Sequence, residues 1–501
     1  MKLSLDEFSR NCSRIFRINA HRDEKLNKQE STEKQEYVSS LVKQTLVALA
    51  PLLLTVCSGM TVGYSAILLP QLHADKNGTL IINEEDASWI ASMAALPMAA
   101  GSVLGGVFIE QFGRKATHSL SCLPFLIGWL LIAFASDKNM ILAGRFVTGA
   151  CLGMLGPATG VYIGETSQPS YRGFLLAGIS FSVALGLFLS HLLGTFFSWR
   201  TTALICASLP VLSQIIILFV PESPSWLAKK GQPKRAQQSF YWCRGYSEEA
   251  KRELAVMLER QEQTPAGDKK TLPEKLRELL VPEFLKPLGI IVFYIVSNQW
   301  AGINALTFYT VSIMKETIGE GVNEYLAMLI VDTIRVLMSL VACVLLRKIG
   351  RRPLALVSGV GTSVSLLSIG AYSFLAKSYP QLKSASYVPM ISLVAYMAFI
   401  TVGFVPLPWA MIGEIFPLKN RSVGSGISSF MAFTAFFSVV KTSPGILSSP
   451  TQRYQVILNG KLFKYESGRK RVLNKTNSPI QGSTCTVFTM QYKISAILKS
   501  N

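Results

Sequence analysis

One arrangement of residues occurs in both halves of this chain, and it constrains the fold more than any other feature. A hydrophobic run ends in Phe-Gly-Arg-Lys at residues 112–115, and a second ends in Ile-Gly-Arg-Arg at residues 349–352. Downstream of each turn, a Gly-Glu pair is followed by an arginine at the same spacing in both halves. Hydrophobic runs and basic turns that repeat at matching positions indicate the duplicated, two-bundle architecture of membrane transporters.

The hydrophobic runs predict an all-α membrane protein. Half of the residues are hydrophobic and only 16% are charged, which is more apolar surface than soluble cores of this size bury. A helix needs about 20 apolar residues to cross a bilayer. The runs predict eleven spanning helices, over residues 45–69, 87–109, 117–136, 139–163, 174–195, 199–220, 287–312, 325–346, 353–376, 387–412 and 422–443.

The net charge of +19 raises the question of a nucleic-acid partner, which the distribution of the charge argues against. The basic residues lie in alternate short loops between the runs, as the positive-inside rule describes. Those in the predicted inner loops are Arg114, Lys115, Arg172, Arg347, Lys348, Arg351, Arg352, Lys419 and Arg421, and the opposite loops carry fewer, with Lys76, Arg200 and Lys315 as exceptions. We therefore predict that these loops are cytoplasmic, that lipid surrounds the helices, and that nucleic acid is not a partner.

The runs divide the chain into five parts. Residues 1–44 form a polar, cytoplasmic N-terminal segment, and residues 45–220 form a bundle of six helices. A cytoplasmic linker follows at 221–286, with a helix predicted at 248–263. The second bundle, at 287–443, has five recognisable spans, so its last helix is missing. Residues 444–501 form a basic, polar and atypical tail, with nine Lys and Arg against one acid after Ser448.

Neither enzyme chemistry nor a cofactor is predicted. The eight cysteines are scattered and show neither metal-ligand spacing nor a disulfide framework. The sequence shows no phosphate-binding glycine-rich loop and no nucleophile placed beside a base. Asn77 begins an Asn-Gly-Thr sequon in a loop that the charge rule places outside, which predicts glycosylation there.

An ordered set of short motifs resembles one known family. The motifs are Gly-Arg-Phe at 144–146, Tyr-Ile-Gly-Glu at 162–165, Pro-Glu-Ser-Pro-Ser-Trp-Leu at 221–227, Asn-Gln-Trp-Ala-Gly-Ile-Asn at 298–304, Pro-Leu-Pro-Trp at 406–409 and Glu-Ile-Phe-Pro at 414–417. Over residues 40–443 they resemble the sugar porter family of the major facilitator superfamily, and within it the insect facilitated trehalose and glucose transporter-like group. The resemblance implies the major facilitator fold, with two pseudo-symmetric helical bundles.

The resemblance also implies a role for the charged residues at the inner ends of the spans. In the family, such residues form salt bridges between the bundles that break as the inner side opens. The residues in question are Arg114, Arg145, Glu165, Arg172, Arg351, Arg352, Glu414 and Arg421. Arginine–carboxylate pairs that are partly desolvated resist separation, which supports gating. The alternative is that these charges only fix the topology.

The substrate site is expected in the seventh and tenth spans. Asn298 and Gln299 lie near the bilayer midplane, where buried amides need partners such as the hydroxyls of a sugar. A helix break at Gly302 would turn Asn304 toward the same cavity, and Trp409 offers an apolar ring face. The alternative is hydrogen bonding between helices for the amides and packing for the tryptophan.

In the resembled family, the residues that match these four contact sugar. Ser180 stands where the family has a glutamine in its fifth span, so we expect a pocket with fewer hydrogen bonds than a typical glucose site.

Polar residues within the spans bear on energy coupling. Proton-coupled relatives carry an acid in the first span, where this chain has Ser65, and this favours facilitated diffusion. Asp332 and Arg335 lie one turn apart and predict a neutralising pair. His191 is interpreted as a satisfied polar residue near the outer end of its span. A proton relay is the alternative for all three.

The predicted function is uniport of a hexose or disaccharide, such as glucose or trehalose, across the plasma membrane by alternating access. Two alternatives remain open at this stage. The incomplete second half favours a non-transporting sensor, or an inactive truncated or splice isoform. A proton-coupled sugar symporter is the other.

Overall fold

The structure is a computed structural model, and it describes residues 39–74, 82–262, 280–309, 311, 323–378, 387–416 and 421–448. Helices joined by short turns make up the described part, and it contains no β-strand. Along the chain, a first group of helices at residues 39–219 is followed by three shorter helices and then by a second group at residues 282–448. We call the two groups the first and second bundles.

The first bundle begins earlier than the sequence predicts, because its first helix starts at Ser39 rather than near residue 45. Polar residues near this start account for the difference: Ser40 donates its hydroxyl to the carbonyl of Cys243, and Gln44 donates to Ser40. The helices are α1 (Ser39–Ala74), α2 (Glu84–Met93), α3 (Met98–Phe112), α4 (Arg114–Ala133), α5 (Lys138–Thr166), α6 (Pro169–Phe196) and α7 (Trp199–Phe219).

The predicted linker region contains α8 (Pro224–Lys229), α9 (Pro233–Arg244) and α10 (Glu248–Glu262). The helix predicted at 248–263 is thus present, and the hydroxyl of Ser247 accepts the backbone N–H of Ala250 at 3.2 Å. The rest of the linker, from 263 to 279, lies outside the described residues.

The second bundle contains α11 (Pro282–Gln299), α12 (Ile303–Phe308), α13 (Glu324–Lys348), α14 (Arg351–Ser378), α15 (Tyr387–Phe399), a π-helical turn at Ile400–Phe404, α16 (Pro406–Ile415) and α17 (Arg421–Ser448). Helix α15, the π-helical turn and α16 follow one another as a single bent span. A π-helical turn of this kind widens the backbone locally and is common at functional sites.

Ten helices in the described part of the chain are long and apolar enough to cross a membrane, against the eleven predicted. The difference lies at 287–312, which is divided into α11 and α12. Gly302 separates them with a φ of 95°, a left-handed conformation that interrupts the hydrogen-bond ladder. The tail from 449 onward lies outside the described residues.

Close helix contacts hold the first bundle together. A Cβ atom at Gly149 of α5 would lie 1.9 Å from the carbonyl oxygen of Ala94, so only glycine permits this approach. In the same bundle, Trp129 of α4 is fully buried and meets the ring of Tyr64 of α1 edge-on. The second bundle has its own core around Tyr294, Phe404 and their neighbours.

The two bundles touch at more than one depth; the thiol of Cys343, for example, lies 3.5 Å from the carbonyl oxygen of Ala177. We call the end that carries the turns at 113–115 and 349–352 the basic end, and the opposite end the far end. At the far end, Ile67 of α1 packs with Val311 and with Met328 of α13. There also, Ser88 of α2 donates to the carbonyl of Lys441 of α17 at 3.2 Å. These contacts join the two bundles at the far end.

Candidate functional site

The interruption between α11 and α12 positions the polar side chains predicted to hold substrate. Helix α11 ends at Gln299, residues 300–302 turn, and α12 begins at Ile303. The hydroxyl of Tyr396 donates to the carbonyl of Ala301 at 2.9 Å, which supplies a partner to a backbone group that the interruption frees. A turn that is fixed in this way holds the neighbouring amides in place.

The interruption brings Asn304 against Gln299. The amide nitrogen of Asn304 donates to the side-chain oxygen of Gln299, and also lies 3.3 Å from the backbone carbonyl of Gln299. On an unbroken helix, residues five apart would point in different directions. Gln299 is 9% exposed. The structure therefore places these two predicted residues together, with Gly302 as the reason.

Asn298 has a partner within the protein. Its amide nitrogen donates to the carbonyl of Phe404, the last residue of the π-helical turn. The backbone N–H of Phe404 in turn donates to the hydroxyl of Ser358 of α14 at 2.7 Å. The amide nitrogen of Asn298 thus links α11 to the π-helical turn. Hydrogen bonding between helices is the alternative to sugar binding that the sequence left open for the amides.

Trp409 and Ser180 are the more exposed members of the predicted site. Trp409 lies on α16, is 45% exposed, and its ring centroid is 6.0 Å from that of Phe433 of α17. Phe433 approaches Gly156 of the first bundle, where a Cβ atom would lie 3.9 Å from the ring. Trp409 therefore adjoins the boundary between the bundles. Ser180 is exposed on α6.

A second polar contact crosses between the bundles at the far end. His191 of α6 and Asp332 of α13 meet through Nδ1 and a carboxylate oxygen, and their side chains are 0% and 2% exposed. Arg335, expected to neutralise Asp332, instead donates to the hydroxyl of Thr307 at 3.1 Å. The hydrogen-bond partners of Asp332 and Arg335 thus lie on other helices, but Arg335 is within electrostatic reach of Asp332, so their mutual neutralisation stays a prediction.

The basic end of the first bundle holds a compact charged cluster. Arg114 is buried and donates to a carboxylate oxygen of Glu165 at 2.8 Å. The other oxygen of Glu165 accepts from the hydroxyl of Ser223. This ion pair lies within one bundle, so the predicted salt bridges between the bundles stay a prediction.

Glu222 is a member of this cluster that the sequence analysis did not assign. Its carboxylate accepts the backbone N–H groups of Arg114 and Lys115 at 2.9 and 3.0 Å, which caps the N-terminus of α4. The motif at 221–227 was visible, but nothing local to it indicated a partner more than 100 residues earlier.

Arg145 does not belong to the basic end, which corrects the prediction that grouped it with the inner gating charges. It lies seven residues after the start of α5, whereas Glu165 lies one residue before the end of that helix. At 1.5 Å per residue, the two are about 30 Å apart. Arg145 is instead fully buried, and it donates to the hydroxyl of Ser65 and to the carbonyl of Thr61.

Other predicted gating and modification residues fall into two groups. Arg172 is exposed and donates to the carbonyl of Ser167 at 3.3 Å, and Arg351 donates to the carbonyl of Leu346 at the same distance. Arg352 is exposed. The side chains of Glu414 and Arg421, and the whole of Asn77, lie outside the described residues.

The arrangement of helices matches solved membrane transporters. The proton:xylose symporter XylE of the major facilitator superfamily, bound to 6-bromo-6-deoxy-D-glucose, aligns with a TM-score of 0.70 and 18% identity over 92% of this chain and 96% of that chain. An inward-open conformation of XylE from E. coli aligns with a TM-score of 0.66 and 19% identity, over 83% and 93%. At these identities the likeness shows the fold, which is the predicted major facilitator fold.

Sequence comparison narrows the class further. The family described as sugar (and other) transporter matches residues 18–463. The facilitated trehalose transporter Tret1 of Bombyx mori is 32% identical over 391 residues, covering 78% of this chain and 76% of the relative. Tret1 of Polypedilum vanderplanki is 33% identical over 395 residues, covering 78% and 77%. The chain belongs to this sugar transporter family and is a multi-pass membrane protein, not an enzyme.

Proposed function

We propose that the protein is a facilitative transporter that carries trehalose, or a related disaccharide or hexose, across the plasma membrane by alternating access. Relatives from Bombyx mori and Polypedilum vanderplanki that are named facilitated trehalose transporters support this substrate and mode. The geometry of the site adds support from this chain's own residues.

The observation that carries the proposal is the pairing of Gln299 with Asn304 at the interrupted helix. Each amide offers both a donor and an acceptor, and a sugar hydroxyl is also both. A sugar that enters the site can exchange the internal amide–amide hydrogen bond for bonds to its own hydroxyls. Such an exchange keeps polar groups in the apolar interior satisfied before and after binding.

Trp409 supplies a contact of a different kind. Its half-exposed ring beside the boundary between the bundles can lie against the apolar C–H face of a pyranose. The π-helical turn ends five residues before it in the chain. The amides and the ring together would recognise both faces of a sugar.

Alternating access is supported by where the bundles touch. The far end is closed by the packing of Ile67 with Val311 and Met328, and by the buried contact between His191 and Asp332. Release of these contacts, with formation of contacts at the basic end, would expose the amide site to the opposite side. We propose that the arginines of the basic turns serve there as gating residues.

Uniport is supported by the surroundings of Arg145. Its guanidinium meets the hydroxyl of Ser65 and the backbone carbonyls of Thr61 and Ile90. A serine at position 65 leaves α1 with no carboxylate at this contact to take up and release a proton. The sugar gradient is then the driving force.

The experiment that tests the proposed site is radiolabelled trehalose and glucose uptake by a Gln299→Ala variant at matched surface expression. Loss of one hydrogen bond of about 1 kcal/mol predicts a decrease of about fivefold in uptake at low sugar concentration. The matched control is Ser297→Ala on the same helix, because the hydroxyl of Ser297 donates to the carbonyl of Phe293 in its own helix. Uptake equal to that of the unchanged protein would remove Gln299 from the site.

A further inference from the structure

His191 and Asp332 form a buried contact that must break in every transport cycle if the bundles alternate. His191 is on α6 of the first bundle and Asp332 on α13 of the second, and both side chains are almost completely shielded from solvent. The far end opens only when the two bundles separate there. Each opening therefore pulls this imidazole and this carboxyl group apart.

Both ring nitrogens of His191 face oxygen atoms. Nδ1 lies at hydrogen-bond distance from Oδ2 of Asp332, and Nε2 lies 3.1 Å from the carbonyl oxygen of Gly63 on α1. A neutral imidazole carries one N–H and can donate to only one of them. Both bonds form when the ring carries two protons, or when the carboxyl of Asp332 holds a proton and donates it to Nδ1. In either case the pair holds one proton more than a neutral histidine beside an ionised aspartate.

The charges around the pair set how firmly this proton is held. Titratable and charged side chains near the pair include Arg335 of α13, Tyr396 of α15, which lies near Arg335, and Tyr64 of α1, which follows Gly63 in the chain. Arg335 is within electrostatic reach of Asp332 and opposes the extra positive charge. Tyr396 and Tyr64 donate their hydroxyls to backbone carbonyls elsewhere. If the proton were lost, the buried carbonyl oxygen of Gly63 could face a lone pair of Nε2 and have no donor. The cost of such a buried, unpaired acceptor opposes loss of the proton.

We propose that His191 and Asp332 are a proton-binding latch, which takes up one proton when the far end closes and releases it when the far end opens. The inference rests on the alternating-access mechanism proposed above. The proton enters and leaves on the far side, so it regulates the cycle without being carried across with sugar. Acid on that side then favours the closed state.

Linkage gives the size of the effect. A state that binds one more proton than its alternative gains population by at most about tenfold for each unit decrease in pH. The pH range chosen for the experiment is about 5.5 to 8. Removal of the titratable groups of His191 and Asp332 should abolish the dependence of far-end closure on pH.

Accessibility of Met328 measures closure of the far end without requiring transport. Met328 is fully buried between the bundles, so a Met328→Cys variant reacts with a membrane-impermeant maleimide from the far side only when that end opens. The same cysteine is placed in a second protein that also carries His191→Gln and Asp332→Asn. Amides at both positions can still form a hydrogen bond but cannot take up a proton in this pH range.

The quantity to compare is the labelling rate with the native pair divided by the labelling rate with the amide pair. The effect of pH on ionisation of the cysteine thiol is the same in both proteins and cancels in this ratio. We expect labelling in the presence of the native pair, relative to the amide pair, to increase by up to about tenfold per pH unit as the pH rises. A ratio that does not change with pH would overturn the latch.

Two controls make the result specific. The full-length protein without Met328→Cys gives the background; Cys243, for example, is buried, and burial raises the pKa of its thiol to about 12. A His118→Gln variant removes another fully buried histidine, which bonds only within the first bundle, to the Arg114 carbonyl and Thr159. It should keep the dependence of labelling on pH. If His118→Gln abolished that dependence as well, the latch would be excluded.

The labelling experiment also separates this inference from the proposed function. Labelling that depends on pH through the native pair, in a protein without sugar uptake, would retain the latch and reject sugar transport. Sugar uptake combined with labelling that does not depend on pH would retain sugar transport and reject the latch.

Discussion

The guanidinium of Arg145 donates a hydrogen bond to the hydroxyl of Ser65 in the interior of the first bundle. Carbonyl oxygens of Thr61 and Ile90 accept further hydrogen bonds from it, at 2.7 and 3.3 Å. The positive charge is thus held by dipoles of α1 and α2, at a contact where α1 contributes a hydroxyl. This arrangement bears on both the energy source for transport and the stability of the bundle.

The first prediction concerns the energy source. Because Ser65 does not titrate, collapse of an inward proton gradient with a protonophore, at constant external pH, should leave the initial rate of trehalose uptake unchanged. The measurement is uptake in cells or vesicles with and without the protonophore. A marked decrease would favour proton-coupled symport.

The second prediction concerns the geometry of the guanidinium. Arg145→Lys keeps the charge but removes donors in fixed directions, which leaves buried carbonyls without partners. We expect the free energy of unfolding in detergent micelles to fall by about 2–3 kcal/mol. Arg235→Lys, at an exposed position on α9, is the control and should have little effect. Equal stability of the two variants would show that the donors to Thr61 and Ile90 contribute little.

The third prediction concerns the interruption between α11 and α12. Gly302→Ala places a Cβ atom on a residue with a φ of 95°, a strain of about 1–2 kcal/mol that favours a continuous helix. Asn304 would then turn away from Gln299, and sugar uptake should fall while surface expression is maintained. Gly289→Ala on α11 is the matched control, because a Cβ atom there meets no atom within 4 Å. Equal uptake by the two variants would count against the role of the interruption.

The fourth prediction concerns the cap of α4. Gly113 has a φ of 101°, and a Cβ atom there would lie 2.3 Å from a carboxylate oxygen of Glu222. Gly113→Ala should lower the thermal stability strongly, because it combines backbone strain of about 1–2 kcal/mol with displacement of the capping carboxylate. Gly106→Ala on α3 meets nothing within 4 Å and should be tolerated. Thermal unfolding of both variants in detergent provides the comparison.

Local patterns were sufficient to predict much of the fold. Runs of apolar residues long enough to cross a bilayer predicted the spanning helices to within several residues. Gly302, set among apolar residues and amides, predicted an interruption, and the structure has one at that residue. These features follow from residues close together in the sequence, where length, hydrophobicity and backbone freedom decide the outcome.

Contacts between distant residues were not predictable in the same way. His191 and Asp332 are separated by 141 positions, and an isolated polar residue in an apolar helix does not identify its partner. The family motif that contains Arg145 predicts a place among the inner charges. Its depth is set by where α5 begins, at Lys138. Glu222 required knowledge of how the chain after α7 returns to the start of α4.

The most direct test of the central claim is flux of radiolabelled trehalose and glucose into lipid vesicles that contain the purified full-length protein, with protein-free vesicles as the control. Saturable uptake down the sugar gradient, reduced in the Gln299→Ala variant, is the predicted result. A folded protein that shows neither flux nor binding of either sugar would contradict the account.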